Sequence, residues 1–224
     1  YRNEPNPVPG RHDKIFPMFE FEMKGGFDEL LQMERELLDH LGFGKFYANR
    51  GTGDDRYPAG DYTDVASNYG VEELEHEHET QLCTDHGPAF FLTRFPNTTS
   101  PFWNMRQSED KTYAKKVDVI MQGVETIGSA ERSSDPEEMR KQFYTISDGG
   151  YANTLFASFT KERVEKELNE FLSFKFFPRS GGGIGVTRML RALKLSGLMD
   201  YEPEESDTGV GALEEAVVKA VDGA

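Results

Sequence analysis

Residues 117–132 read VDVIMQGVETIGSAER, an apolar, β-prone run carrying an acid at Asp118, a second at Glu125 and an arginine at Arg132. Buried strands rarely hold such charges unless each one meets a partner or a ligand. Two carboxylates brought together suit a hard cation such as Mg2+, which takes a few carboxylates and completes its shell with substrate phosphates. A guanidinium offers a planar fork that matches a carboxylate. On its own, the stretch reads equally well as a strand whose charges face solvent. The segments toward the two ends of the chain shift that balance.

Near the start, residues 1–12 carry three prolines and a glycine and predict a loop. The alternation after it places Phe19, Phe21 and Met23 on one face of a strand and Glu20 and Glu22 on the other, the pattern expected for the floor of a polar site. Gly25 and Gly26 end that strand. Residues 27–41 predict an amphipathic helix whose apolar stripe only Glu34 interrupts, with Gly42 as the C-terminal stop. This helix reads as scaffold.

Residues 47–62, rich in Gly, Asp, Arg and Pro, predict a surface loop, and residues 63–69 a short helix. Residues 72–79 invite a metal-site reading because His76 and His78 stand among acids. Two histidines at that spacing point to different sides of a helix, so a solvated acidic helix is expected instead. Residues 88–96 predict a buried strand, 108–116 a charged hairpin loop, and 135–143 and 160–174 two further helices. Residues 180–192, SGGGIGVTRMLRA, run from glycines into a helix bearing Arg188. They lack the Lys-Ser/Thr pair of a phosphate-binding P-loop and the accompaniments of a dinucleotide fold. Glycines there permit close approach by a neighbour or a ligand.

The 224 residues suffice for one domain with a sizeable core. A net charge of −15, from 25 basic and 40 acidic side chains, argues against a broad phosphate-gripping face. The single cysteine, Cys83, excludes an internal disulfide and suits a reducing, cytoplasmic setting. No apolar run approaches the roughly 20 residues that cross a bilayer, so no membrane partner is expected.

Three ordered segments then bring a family into view. Tyr1-Arg2-Asn3-Glu4, followed by Gly10-Arg11-His12-Asp13-Lys14-Ile15-Phe16 and Phe19-Glu20-Phe21-Glu22, resembles motif 2 of class II aminoacyl-tRNA synthetases. Asp118, Glu125 and Arg132, evenly spaced, resemble the metal and amino-acid strand of the aspartyl/asparaginyl branch. Gly181-Gly182-Gly183-Ile184-Gly185-Val186-Thr187-Arg188 resembles motif 3, and Glu77-His78-Glu79 before Phe91-Leu92-Thr93 is also similar to that branch.

The resemblance implies an α+β fold, an antiparallel sheet flanked by helices, spanning residues 1–200 as a catalytic domain, with residues 201–224 as an acidic, frayed tail. It implies ATP and Mg2+ as cofactors. Arg2 would hold the α-phosphate and the amino-acid carboxylate, Glu4 the adenine amino group, and Phe16 the adenine ring. Arg11 and His12 belong to the ATP-binding loop. Arg188 would lie against the adenine and reach the γ-phosphate. Asp118 and Glu125 would hold Mg2+ on the phosphates. Arg132 would pair with the substrate side chain and Glu20 with its ammonium. Motif 1, the dimer-forming segment of the family, has no counterpart here, which implies the C-terminal part of a larger, homodimeric enzyme.

Glu131-Arg132, Gly10-Arg11-His12 and Gly183-Ile184-Gly185-Val186 are more similar to the archaeal-type asparagine synthetase, whereas Pro101-Phe102-Trp103-Asn104-Met105 is more similar to the true synthetases. With the acidic charge, the resemblance favours activation of aspartate as an adenylate followed by attack of ammonia to give asparagine. Transfer of aspartate or asparagine to tRNA is the alternative. A non-catalytic synthetase-like binding module is a third reading, against which stand Arg2, Glu125 and Arg188, all present.

Overall fold

The computed structural model describes residues 1–3, 14–50 and 56–199. The expectations for Glu4, Arg11, His12 and the 201–224 tail lie outside the described residues. Strands β1 (Arg2–Asn3), β2 (Ile15–Phe16) and β3 (Met18–Lys24) lead into helix α1 (Phe27–His40). Strand β4 (Ala59–Asp61), helices α2 (Tyr62–Asn68) and α3 (His76–His86), and strands β5 (Ala89–Pro96), β6 (Tyr113–Met121) and β7 (Val124–Arg132) follow. Helices α4 (Pro136–Thr145), α5 (Gly150–Phe159) and α6 (Lys161–Leu172) precede strand β8 (Arg179–Gly185) and helix α7 (Val186–Leu195). Six strands form one sheet in the order β3-β8-β7-β6-β5-β4, antiparallel except where β4 runs parallel to β5. The fold is α+β, as expected.

The 117–132 stretch is a hairpin rather than a single strand. Gln122 and Gly123 both take left-handed backbone angles (φ 48° and 75°), the pairing that lets a two-residue turn follow the twist of its strands. Asp118 thereby comes to lie opposite Gly128, and Lys116 opposite Ala130. A register shift after Val119 sets Ile120 opposite Glu125.

Alternation along β6 divides the core. Val117, Val119 and Met121 join Ile127, Leu30, Leu38 and Met189 on the face covered by α1 and α7. On the opposite face, Ile120, Leu92 and Phe90 pack beneath Tyr62, Val65 and Leu82 of α2 and α3. The helices between β7 and β8 close a third cluster around Phe143, Val164 and Leu168, with Trp103 edge-on to Phe143 at 5.5 Å and to Phe171 at 5.7 Å.

The structure corrects several sequence expectations. Within the stretch expected as a surface loop, the described residues 47–50 and 56–62 carry two buried rings: Tyr47 and Tyr57 are 3% and 2% exposed, 5.1 Å apart. The Tyr47 hydroxyl donates to the Ala89 carbonyl at 2.8 Å and accepts from the Ala89 N–H at 2.7 Å. Large aromatic surfaces decide burial there, against a composition typical of loops. Arg2 and Asn3, expected in a loop, pair with Phe16 and Ile15 as a short ladder. Helix α3 starts only at His76, where His78 Nδ1 accepts the Glu75 N–H at 2.8 Å and its ring stacks on Tyr69. Among the described residues, no three His, Cys, Asp or Glu side chains gather as a metal cluster.

Candidate active site

Glycines make the floor. Strand β8 runs between β3 and β7, and its neighbours press on it from both sides. A Cβ on Gly182 would stand 2.3 Å from Ser129 Cβ and 2.5 Å from the Gly128 carbonyl oxygen. One on Gly181 would stand 2.4 Å from Glu22 Cδ, and one on Gly183 2.7 Å from Met18 Cε. A side chain at Gly182 would part β8 from β7, and one at Gly181, 2.5 Å from the Phe21 carbonyl oxygen, would part it from β3; at Gly183 it would displace Met18.

That hollow is a cavity of about 460 Å³ lined by Arg2, Phe16, Glu20, Glu22, Glu125, Gly128, Arg132 and Arg188, among others. Six residues expected from the sequence, namely Arg2, Phe16, Glu20, Glu125, Arg132 and Arg188, thus meet at one place. Asp118 lies beside it, 6% exposed.

The two acids converge over a glycine. A Cβ on Gly128 would meet Glu125 Oε1 at 2.7 Å and Asp118 Oδ1 at 3.4 Å. Lys116 Nζ holds Asp118 Oδ2 at 2.5 Å, while Asp118 Oδ1 is buried with no hydrogen-bond partner among the described residues. Burial raises the Asp118 carboxyl to about 7; Lys116 pulls it down and the Glu125 charge pushes it up. An unpartnered carboxylate oxygen facing a second carboxylate across a side-chain-free gap fits a hard cation. Two carboxylates leave most of a cation's coordination shell to water or phosphate.

Arg188 enters from the first turn of α7. Its Nη1 donates to the Glu125 carbonyl at 2.7 Å, and its guanidinium lies 5.0 Å from the centre of the Phe16 ring. A planar ring held between the two needs about 7 Å, two contact distances of roughly 3.5 Å. The pair is therefore closed on itself in this structure.

Arg132 meets an acid, and it is Glu22 rather than Glu20: Arg132 Nε donates to Glu22 Oε1 at 3.0 Å. Glu22 shares its strand face with Glu20, and the period of two was the visible signal. Glu131 points the other way. It is 6% exposed, accepts the Phe27 N–H at 3.2 Å, and pairs with Arg106 and Lys115 at 3.2 Å each, closing the N-terminus of α1.

Two residues near the site escaped the sequence reading. Lys116, expected in a charged loop, is a strand residue whose ammonium neutralises Asp118. Glu34, expected as a blemish on a scaffold helix, is fully buried, and its Oε1 accepts from Ser129 Oγ at 2.5 Å. Burial, the largest influence, raises the Glu34 carboxyl to about 8, so it is held protonated at neutral pH. The signal for Glu34 was an acid in an apolar stripe; that it faced Ser129 became visible only in three dimensions.

Comparison with known proteins identifies the family and the fold. Residues 1–196 match the family described as tRNA synthetases class II (D, K and N). The chain is similar to the aspartate–tRNA(Asp) ligase of Pyrobaculum aerophilum, 27% identical over 128 residues that make up 57% of this chain and 26% of that protein. It is also similar to the aspartate–tRNA(Asp/Asn) ligase of Methanosphaera stadtmanae, 27% identical over 56% of this chain and 26% of that protein. The chain thus spans about a quarter of the length of these curated relatives. Its fold is similar to that of Entamoeba histolytica asparaginyl-tRNA synthetase bound to asparaginyl-adenylate (TM-score 0.64, 19% identity, 86% of this chain, 47% of that one). The aspartyl-tRNA synthetase of the same organism is similar as well (TM-score 0.60, 19% identity, 84% of this chain, 42% of that one).

Proposed function

Because the chain belongs to the class II tRNA synthetases (D, K and N), we propose that its cavity activates aspartate with ATP. An aspartate carboxylate oxygen attacks the α-phosphorus, a new O–P bond forms, the bond to the bridging oxygen breaks, and pyrophosphate leaves. The observation that carries this reading is the meeting of Arg2, Arg132 and Arg188 with the Asp118–Glu125 pair on one glycine floor. Bringing two anions together demands cations placed in advance, and no covalent nucleophile.

In this proposal Arg2 holds the α-phosphate and the attacking carboxylate. Phe16 and Arg188 take the adenine between them, which requires Arg188 to swing off the Phe16 ring, and Arg188 also reaches the γ-phosphate. Glu4 reads the adenine amino group, and Arg11 and His12 contribute to binding ATP. Asp118 and Glu125 would hold Mg2+, whose charge would offset that of the phosphates. Arg132, already on Glu22, exchanges that partner for the substrate side chain, and Glu20 takes the ammonium. Residues 1–200 act as one catalytic domain, in a homodimer.

For the acceptor, the similarity to aspartate–tRNA ligases supports transfer to tRNA. A second reading, in which the side-chain carboxylate of aspartate is the one adenylated and ammonia attacks it to release AMP and asparagine, is favoured by the net charge of −15, which suits a partner without a phosphate backbone. The test is aspartate-dependent exchange of pyrophosphate into ATP by this chain and by the longest natural polypeptide that carries it. Amide formation with ammonium and no tRNA selects ammonia; product formation only with tRNA selects tRNA. Failure to exchange with either aspartate or asparagine sinks the proposal.

A further inference from the structure

We propose that Lys116 is the resident counter-ion of the acid pair: its ammonium occupies Asp118 until a nucleotide arrives, so that a bare divalent cation binds poorly and enters together with phosphate. The inference rests on the assignment of Asp118 and Glu125 as the metal-holding pair.

The lysine is held in place on two sides. Its Nζ is 2.5 Å from Asp118 Oδ2 and 3.7 Å from the centre of the Phe95 ring. Phe95 is itself 5% exposed and packs on Tyr62 at 4.9 Å. Residues two apart on a strand share a face, so Lys116 and Asp118 stand side by side over Ala130 and Gly128. An ammonium between an acid and an aromatic face is stabilised from both directions.

The consequence is a matter of charge. Asp118 and Glu125 together offer two negative charges, and Lys116 cancels one of them. Glu79 on α3 also acts on Asp118 through space. Affinity of oxygen sites for divalent cations rises with the number of carboxylate charges, and an ammonium a few ångströms away repels the incoming ion. Of the two Asp118 oxygens, Oδ1 has no hydrogen-bond partner among the described residues, and it lies toward Glu125. One uncommitted oxygen and one neighbouring carboxylate make a weak site alone. Phosphate oxygens supply the missing negative charge.

The probe is Mn2+ alone, titrated into the chain at pH 8 and followed by the paramagnetic resonance signal of the free aqua ion. The proteins are wild type, Lys116→Met, Lys116→Gln and Lys116→Arg, each checked by circular dichroism melting. The two neutral variants give independent chances of a folded protein without the charge. A folded neutral variant is expected to bind Mn2+ at least about tenfold more tightly than wild type, the floor set by removing one like charge roughly 6 Å away even at a water-like dielectric. Lys116→Arg, which keeps the charge, is expected to match wild type. Equal binding by wild type and neutral variants, including none by either, overturns the proposal. So does a gain in Lys116→Arg as large as that in Lys116→Met, which would assign the effect to shape. ATP-dependent Mn2+ uptake by wild type is a separate measurement that tests the nucleotide-binding reading on its own.

Discussion

Replacing Glu34 by glutamine tests the reasoning about burial where it is most exposed to failure. Glu34 sits on the inner face of α1 with Oε1 on Ser129 and Oε2 buried without a hydrogen-bond partner. Its carboxyl moves from an ordinary value of 4.5 to about 8, first through burial and then through the nearby Asp118 charge, against the pull of the Ser129 hydroxyl. The folded protein therefore keeps a proton that the unfolded chain has already released. Stability is intact below the unfolded value and declines as pH rises through the window between the two, levelling off above the folded value. At about 1.4 kcal/mol per pH unit, wild type loses on the order of 5 kcal/mol across that window. Glu34→Gln preserves shape and a partner for Ser129 but cannot ionise. Urea unfolding at steps from pH 5 to 9 should show nearly equal midpoints at the acid end and a widening advantage for the variant toward the alkaline end. Taking the difference between the two proteins removes titrations they share. Parallel curves would mean that water or a cation already reaches Glu34, and the inference from burial would be wrong.

Other expectations follow from individual contacts. Tyr47→Phe leaves both polar groups of Ala89 unpaired in the core and should cost about 1–3 kcal/mol in thermal or urea unfolding; an unchanged midpoint would show that water replaces the hydroxyl. Gly182→Ala drives a methyl into the backbone of β7 at Gly128 and Ser129, and should lower stability by about 3 kcal/mol or more, or prevent soluble expression. Gly128→Ala meets only the tips of Glu125 and Asp118, so it should melt like wild type. Its metal-dependent pyrophosphate exchange should nonetheless fall about tenfold or more, a loss of roughly 1.4 kcal/mol in the barrier; full exchange would place the cation elsewhere.

Much of the site was legible because it obeys simple periods. Alternation put Glu20 and Glu22 on one side of a strand, and the run Gly181-Gly182-Gly183 announced a crowded backbone. What joins them was hidden. The turn at Gln122-Gly123 places a glutamine in a left-handed conformation that such residues seldom adopt. The stretch therefore read as one strand, and the side-by-side placement of Asp118 and Glu125 could not be derived from spacing alone. Lys116 was lost in a charged run that suggested a loop, although an ammonium two residues from a buried acid is a natural partner. The burial of Tyr47 and Tyr57 ran against local composition, since the Ala89 backbone that the Tyr47 hydroxyl meets and the Phe91 ring that Tyr57 packs on come from distant chain. The ladder at Arg2 and Asn3 is too short for any periodic signal.

The place of β8 in the sheet also bears on how the protein comes into being. This strand is late in the chain, yet it inserts between β3, near the start, and β7, pairing Glu20 with Gly183 on one side and Gly128 with Gly183 on the other. Until it docks, two unpaired edges stand open, each a template for another strand. Contacts so distant in sequence form slowly. A strand of glycines has few side chains to choose its own register, and the hydrogen bonds from Ser180 Oγ to the carbonyls of Gly25 and Gly26 provide an anchor at one end. A nascent chain emerging from the ribosome thus carries most of the cavity wall while lacking its floor. It stays open to misassembly, and to rescue by chaperones, until β8 closes the gap.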